Sequence, residues 1–182
     1  MLLPFIKDGF DCGDRAIHVV DRERYDSHLG RLSRWGIEAR EAMSSGQLDL
    51  RITTDTYLQD GRFDQDRMLA TFEDLVSGQA QGGFPRSRIV CSMDWASADQ
   101  SHLNDLIEFE SRVNELWNRH EDAVICAYDL TKMGGDVVID VMRTHPMIII
   151  GATLHRNPFY VSPADFLREL RERRAEGAPA VD

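Results

Sequence analysis

Short apolar, β-branched runs alternate along this chain with stretches whose apolar residues recur at helical spacing, and this alternation limits the fold more than any other feature. The strand-like runs are Arg15 to Val20, Leu48 to Thr53, Ser87 to Met93, Ala123 to Tyr128 and Met147 to Thr153. Each is bounded by polar turn residues, as strands are. Strand, helix, strand, helix is the pattern of an α/β layer with a mostly parallel sheet. Continuous apolar runs, rather than strict alternation, suit a sheet covered by helices on both faces.

The helices are legible from their stripes. Phe63, Met68, Leu69, Phe72, Leu75 and Val76 form one face, with Asp64 as N-cap, and Gly82-Gly83-Phe84-Pro85 ends that helix. Leu103, Leu106, Ile107, Val113 and Trp117 form the next. Met133, Val137, Val138 and Val141 form a weaker one, because Gly134 and Gly135 each cost roughly 1 kcal/mol relative to Ala inside a helix. Ser162 as N-cap, Pro163 in the first turn and Asp165 three residues after the cap start a last helix. Leu2, Leu3, Phe5, Ile6 and Phe10 form a helix at the very front that already needs a sheet to pack on. Trp35, Trp117, Phe72 and the methionines are expected in the core. Residues 1–175 make one domain, and 176–182 a frayed tail.

Charge and composition remove several functions. The 182 residues carry 21 basic and 31 acidic side chains, a net charge of -10, which argues against general nucleic-acid binding. Lys7 and Lys132 are the only lysines. No apolar stretch approaches the ~18 residues of a membrane span, and the start lacks a signal peptide's basic region and cleavage site. The sequence therefore predicts a cytoplasmic protein without membrane segments. Cys12, Cys91 and Cys126 are scattered, with no C-x-x-C, so neither a disulfide framework nor a zinc knuckle is expected. Cys91 and Cys126 fall inside predicted strands, where a small buried hydrophobe is the usual role.

Motifs for common chemistries are absent. There is no Gly-Lys pair for a P-loop and no G-x-G-x-x-G, so ATP or NAD chemistry of the usual kind is not expected. No G-x-S-x-G elbow occurs. The six histidines form no H-x-x-x-H or H-E-x-x-H pair. His28, His102 and His120 fit solvated helix surfaces, and His18 a strand interior. His145 joins a helix to a strand, where it can interact with the helix dipole or contact a ligand. No metal and no other cofactor is expected from these patterns.

Ligands of open α/β sheets bind outside the carboxyl ends of the strands. That rule selects Asp21 and Glu23, Thr54 and Tyr57, Asp94 and Trp95, and Tyr128 and Asp129. This rim mixes carboxylates with aromatics and has no basic residue immediately at the strand ends, which suits a small, weakly polar ligand better than a phosphate. Glu110 falls on an apolar helix stripe between Ile107 and Val113, where a carboxylate is costly to bury unpaired. It either pairs with an arginine such as Arg143 or Arg112, or serves a ligand. The candidate ligand residues are thus Tyr57, Asp94, Trp95, Glu110, Tyr128, Asp129 and His145, with no catalytic residue assigned.

Several stretches in order resemble a known family. They are Leu3-Pro4-Phe5-Ile6-Lys7-Asp8-Gly9 with Gly13-Asp14-Arg15, then Thr56-Tyr57-Leu58 with Asp60-Gly61-Arg62-Phe63-Asp64, and Met93-Asp94-Trp95-Ala96. Glu108-Phe109-Glu110, Tyr128-Asp129-Leu130, Arg143-Thr144-His145-Pro146 and Asn157-Pro158-Phe159-Tyr160 follow. Together they resemble the MEDS domain, the methanogen/methylotroph sensory domain first described in a dichloromethane-responsive regulator. The resemblance implies a three-layer RecA-like α/β fold without a Walker A loop. It also implies a role in sensing hydrocarbon derivatives or other small molecules. The family's opening strand is not found ahead of the first helix here, which implies either an earlier start or a version lacking that strand. An unfilled strand position would expose backbone groups and invite pairing with another chain. Asp94 stands where the family often has Ser.

The resulting expectation is a small-molecule-sensing domain that acts in trans on a signalling partner, such as a histidine kinase or a transcriptional regulator. A homodimer is compatible with it. Two other readings stay open: an interaction or dimerisation module without ligand, and an enzyme using the carboxylates Asp94, Glu110 and Asp129 in acid/base work.

Overall fold

The computed structural model describes residues 2–77 and 82–177. It opens with helix α1 (Leu2–Asp11), followed by β1 (Arg15–Val20), α2 (Tyr25–Arg34), α3 (Ala39–Ser44) and β2 (Leu48–Ile52). A short α4 (Thr53–Tyr57) and α5 (Gln65–Ser77) lead to β3 (Ser87–Ser92). Then come α6 (Gln100–Trp117), β4 (Ala123–Ala127), α7 (Gly135–Thr144), β5 (Met147–Ile150), β6 (Thr153–Arg156) and α8 (Pro163–Gly177). Four strands form a parallel sheet in the order β2-β1-β3-β4. The expected three-layer α/β arrangement is present, with helices on both faces.

Strand alternation sends successive side chains into two separate cores. Ile17, Val19, Ile89, Cys91 and Met93 point into the larger one, packed against α5, α6, α7 and α8. Ala16, Leu48 and Val90 point into the smaller one, under α1, α2 and α3. Several start signals act as expected. The Asp64 carboxylate accepts a hydrogen bond from the Arg67 N–H at 2.9 Å, and Ser162 and Asp165 bond reciprocally at the start of α8. Gly134 flanks α7 rather than lying within it, so its helix cost does not arise there.

Arg88 makes the main polar tie between α1 and the sheet, beside the apolar packing of Ile6. Arg88 on β3 donates to the Asp14 carboxylate at 2.8 Å, to the Asp8 carboxylate at 2.7 Å and to the Phe5 carbonyl at 2.9 Å. Its guanidinium also lies over the Phe5 ring. Asp14 is buried, so Arg88 is its principal counter-charge, with Arg86 farther off at 3.8 Å. Gly9 lets the helix come this close: a Cβ there would sit 2.7 Å from Arg88 Cδ.

The last predicted strand behaves differently from the expectation. Met147 to Ile150 does not join the parallel sheet. It turns at Gly151, whose φ of +63° suits glycine, and pairs antiparallel with β6 as a separate hairpin. Its return is held by Asn157, whose side chain donates to the Met142 and His145 carbonyls at the end of α7. The apolar residues Met147, Ile149, Ile150 and Leu154 consequently stay exposed. Trp35 and Met43 are likewise exposed rather than in the core. The expected helix end at Gly82–Pro85 abuts residues 78–81, and 178–182 of the expected tail also lie outside the described residues, whereas Glu176 and Gly177 belong to α8.

Arg88→Met strands a buried carboxylate and is expected to cost about 3 kcal/mol or more. Arg22→Met, which breaks an exposed pair with Asp55, is expected to cost less than about 1 kcal/mol. Urea denaturation of both variants checks the contrast.

Candidate functional site

The carboxyl ends of the strands are held together by two aspartates. Asp21, just after β1, accepts from Thr53 Oγ1 at 3.1 Å and from Ser92 Oγ at 3.2 Å, which links the ends of β1, β2 and β3. Asp94, just after β3, accepts from the Asp129 N–H at 2.8 Å, which links β3 to β4. Its other oxygen faces Lys132 Nζ at 3.1 Å and Arg24 Nη2 at 3.4 Å. The rim therefore does carry cations, although none stands immediately at a strand end. They arrive from turns a few residues beyond the strand ends, where the strand-end rule does not look.

Beneath this rim lies a cavity of about 590 Å³. Leu2, Leu3 and Ile6 of α1 form one wall. Val20, Val90 and Ala127 form the sheet floor, and Ser92, Asp94, Asp129 and Arg24 with His28 of α2 supply polar groups. Neither α1 nor the α2 side was singled out by sequence. Their apolar residues read as ordinary packing, and only the tertiary arrangement leaves a gap between them and β4.

The seven candidate residues divide into three groups. Asp94, Tyr128 and Asp129 line the cavity. Tyr57 and Trp95 do not. They stack at 5.0 Å within the larger core, on the opposite face of the sheet, together with Phe63. Tyr57 is 1% exposed. Glu110, His145 and the Tyr128 hydroxyl make the third group.

In that third group Glu110 is 2% exposed. Tyr128 Oη donates to Glu110 Oε1 at 2.7 Å, and His145 Nε2 lies 3.4 Å from Oε2. Cys126 Sγ, which sequence reasoning took as a plain core residue, is 3.9 Å from the same oxygen. Among the described residues no arginine joins them: Arg143 is engaged by Glu169 and Arg112 by Gln65 and Asp66. Burial, reinforced by the nearby Glu110 charge, pushes the Tyr128 hydroxyl and the Cys126 thiol well above their usual ranges.

A model of the MEDS family, the methanogen/methylotroph and DcmR sensory domain, matches residues 1–146. The chain belongs to the MEDS family. The general role of the domain is therefore sensory signalling. No protein with a curated description matches the chain. The MEDS match ends just after His145, so it includes the cavity and the Glu110 group and leaves out the hairpin and α8. No helix among the described residues is long and apolar enough to cross a membrane.

A buried histidine pair lies beside the cavity, with His28 on its lining. His18, buried mid-strand on β1, places Nδ1 3.0 Å from Nε2 of His28. A nitrogen-to-nitrogen hydrogen bond needs one N–H and one bare lone pair, so both rings cannot be cationic. Burial, with His28 adding repulsion, lowers His18 from 6.5 to about 3, and burial with Arg31 lowers His28 too. The unfolded chain, with ordinary histidines, thus takes up protons first as the pH falls. The contribution is complete above pH 6.5 and is lost progressively between 6.5 and about 3. Stability is expected to fall below pH 6.5 with a slope of up to about 1.4 kcal/mol per pH unit from His18 alone. His18→Gln, which keeps a hydrogen-bonding group without titrating, is expected to flatten the curve between pH 6.5 and 5, measured by denaturation at a series of pH values.

Proposed function

We propose that this chain is a sensory domain that binds a small, mostly apolar organic molecule in the cavity between α1, α2 and the sheet, and passes the signal in trans to a partner protein. The observation that carries this reading is the cavity itself. At about 590 Å³ it has the size of a small-molecule site, with an apolar floor and wall and polar or charged groups from the strand ends and the α2 side. It also lies at the carboxyl ends of parallel strands, where such folds bind ligands.

The polar anchors include Ser92, Asp94 and Asp129 at the strand ends and Arg24, His28 and Arg31 on the α2 side. Tyr128 borders the cavity while bonding Glu110 behind the sheet, so it is assigned to both groups. Tyr57 and Trp95 act in this reading as the packed support under the Asp94 turn, not as contacts to the ligand. A ligand pressed against Leu2, Leu3 and Ile6 favours the state in which α1 is clamped on the sheet, a population shift set by its differential affinity. The surface assigned to the partner is the β5–β6 hairpin, whose apolar side chains include Ile150 at 62% exposure and Leu154 at 61%.

Ala127→Phe projects a ring from the cavity floor. It is expected to weaken binding of a small organic ligand by more than tenfold, on the order of 1.4 kcal/mol, with little loss of melting temperature. Native mass spectrometry of the freshly purified chain identifies any retained molecule, and the variant is then titrated with that molecule. Unchanged affinity in Ala127→Phe would show that the cavity is not the binding site.

A further inference from the structure

We infer that Cys126, His145 and Glu110 form a binding site for one divalent transition-metal ion of the zinc class, on the face of β4 opposite the cavity. The three come from β4, the residue after α7, and α6, so no linear spacing announces them. Their ligand atoms all lie within 4.8 Å of one another. Glu110 Oε2 is 3.4 Å from His145 Nε2 and 3.9 Å from Cys126 Sγ. Bond lengths of roughly 2.0–2.3 Å at tetrahedral angles put ligand atoms about 3.4–3.6 Å apart. Two edges of the tetrahedron are thus close to their final length, and small side-chain movements close the third.

Hydrogen bonding prepares two of the three ligands. His145 Nδ1 is 2.7 Å from the Val141 carbonyl, which can only accept. Nδ1 is therefore the protonated nitrogen, and in the neutral ring Nε2 presents a lone pair toward Glu110. A lone pair facing a carboxylate oxygen needs a cation between them, either a proton or a metal. Tyr128 donates to Glu110 Oε1, which leaves Oε2 for that cation. These are the outer contacts that orient histidine and carboxylate ligands in metal sites. Cys126 is set by the strand register, opposite Cys91 on β3.

Charge favours the metal. Glu110 is almost fully buried and has no arginine or lysine partner among the described residues. A divalent ion with one thiolate, one carboxylate and one neutral imidazole makes a neutral group, which removes the cost of a lone buried carboxylate. A sulfur, nitrogen and oxygen donor set suits zinc, and also cobalt as its spectroscopic substitute. Three protein ligands leave a fourth position for water or an exogenous ligand. The partly exposed His145 side chain gives a route in. Binding releases the thiol proton, so affinity rises with pH. The site stands on its own residues and does not depend on the cavity being the organic-ligand site.

The full chain, stripped with a chelator, is titrated with Co²⁺ alone and followed by absorption, and with Zn²⁺ followed by native mass spectrometry. One ion per chain is expected, with a thiolate-to-cobalt charge-transfer band and the visible bands of tetrahedral cobalt. Cys126→Ser is expected to abolish the charge-transfer band, while Cys12→Ser, at an exposed cysteine, retains it. Glu110→Gln and His145→Gln are expected to keep the band but weaken binding by at least about tenfold. These two also decide the matter if Cys126→Ser fails to fold. An absent cobalt spectrum in the parent chain, a band that survives Cys126→Ser, or unchanged affinity in both Glu110→Gln and His145→Gln would overturn the inference and leave a proton as the shared cation.

Discussion

The guanidinium of Arg88 is the contact on which the rest of the molecule depends. It sits near the start of β3, an inner strand of the sheet, and answers a buried carboxylate, a helix carbonyl and an aromatic ring at once. Arginine can do this because its planar fork offers several donors in fixed directions, whereas lysine has a single charged point. The contact decides where α1 lies. The position of α1 in turn decides that Leu2, Leu3 and Ile6 form the wall of a cavity instead of packing flush on β4. Removing Cβ at Gly9 is the steric condition for this approach.

Three acids near the strand ends show how the same functional group is put to different uses by its surroundings. Asp21 and Asp94 are satisfied by hydroxyl and backbone donors that link strand ends, and Asp94 has two cations besides. Those bonds hold in place the rim that lines the cavity. Glu110 faces a phenol, a thiol and an imidazole. None of these is a permanent cation, so Glu110 alone has a charge that its neighbours do not settle. A buried group of this kind is where chemistry or binding is to be sought.

Much of the fold was legible in the residues. The four strands of the parallel sheet, the Asp64 and Ser162 caps and the stripe of α6 follow from periodicity and local hydrogen bonding, which act over a few neighbours. The fifth strand was misplaced for a related reason. Met147 to Ile150 has the apolar content of a buried strand, but its pairing is set by the Gly151 turn and by Asn157 gripping the end of α7. The candidate site was legible in part. Asp94, Tyr128 and Asp129 follow from the strand-end rule, and Glu110 from its place on an apolar stripe.

What lay in the order of residues was the layering: which runs are strands, which faces are apolar and which common nucleotide-binding motifs are missing. These depend on spacing of two or three and a half residues, and spacing is a property of sequence. Which side chains meet was settled elsewhere. Tyr57 at the end of α4 and Trp95 in the turn after β3 follow strands as Tyr128 does, yet the path of those turns sends them into the aromatic core. Cys126 and His145 lie far apart along the chain and carry no shared pattern. They meet at Glu110 because α6 and α7 pack on the same side of β4, and that proximity exists only once the layers have closed.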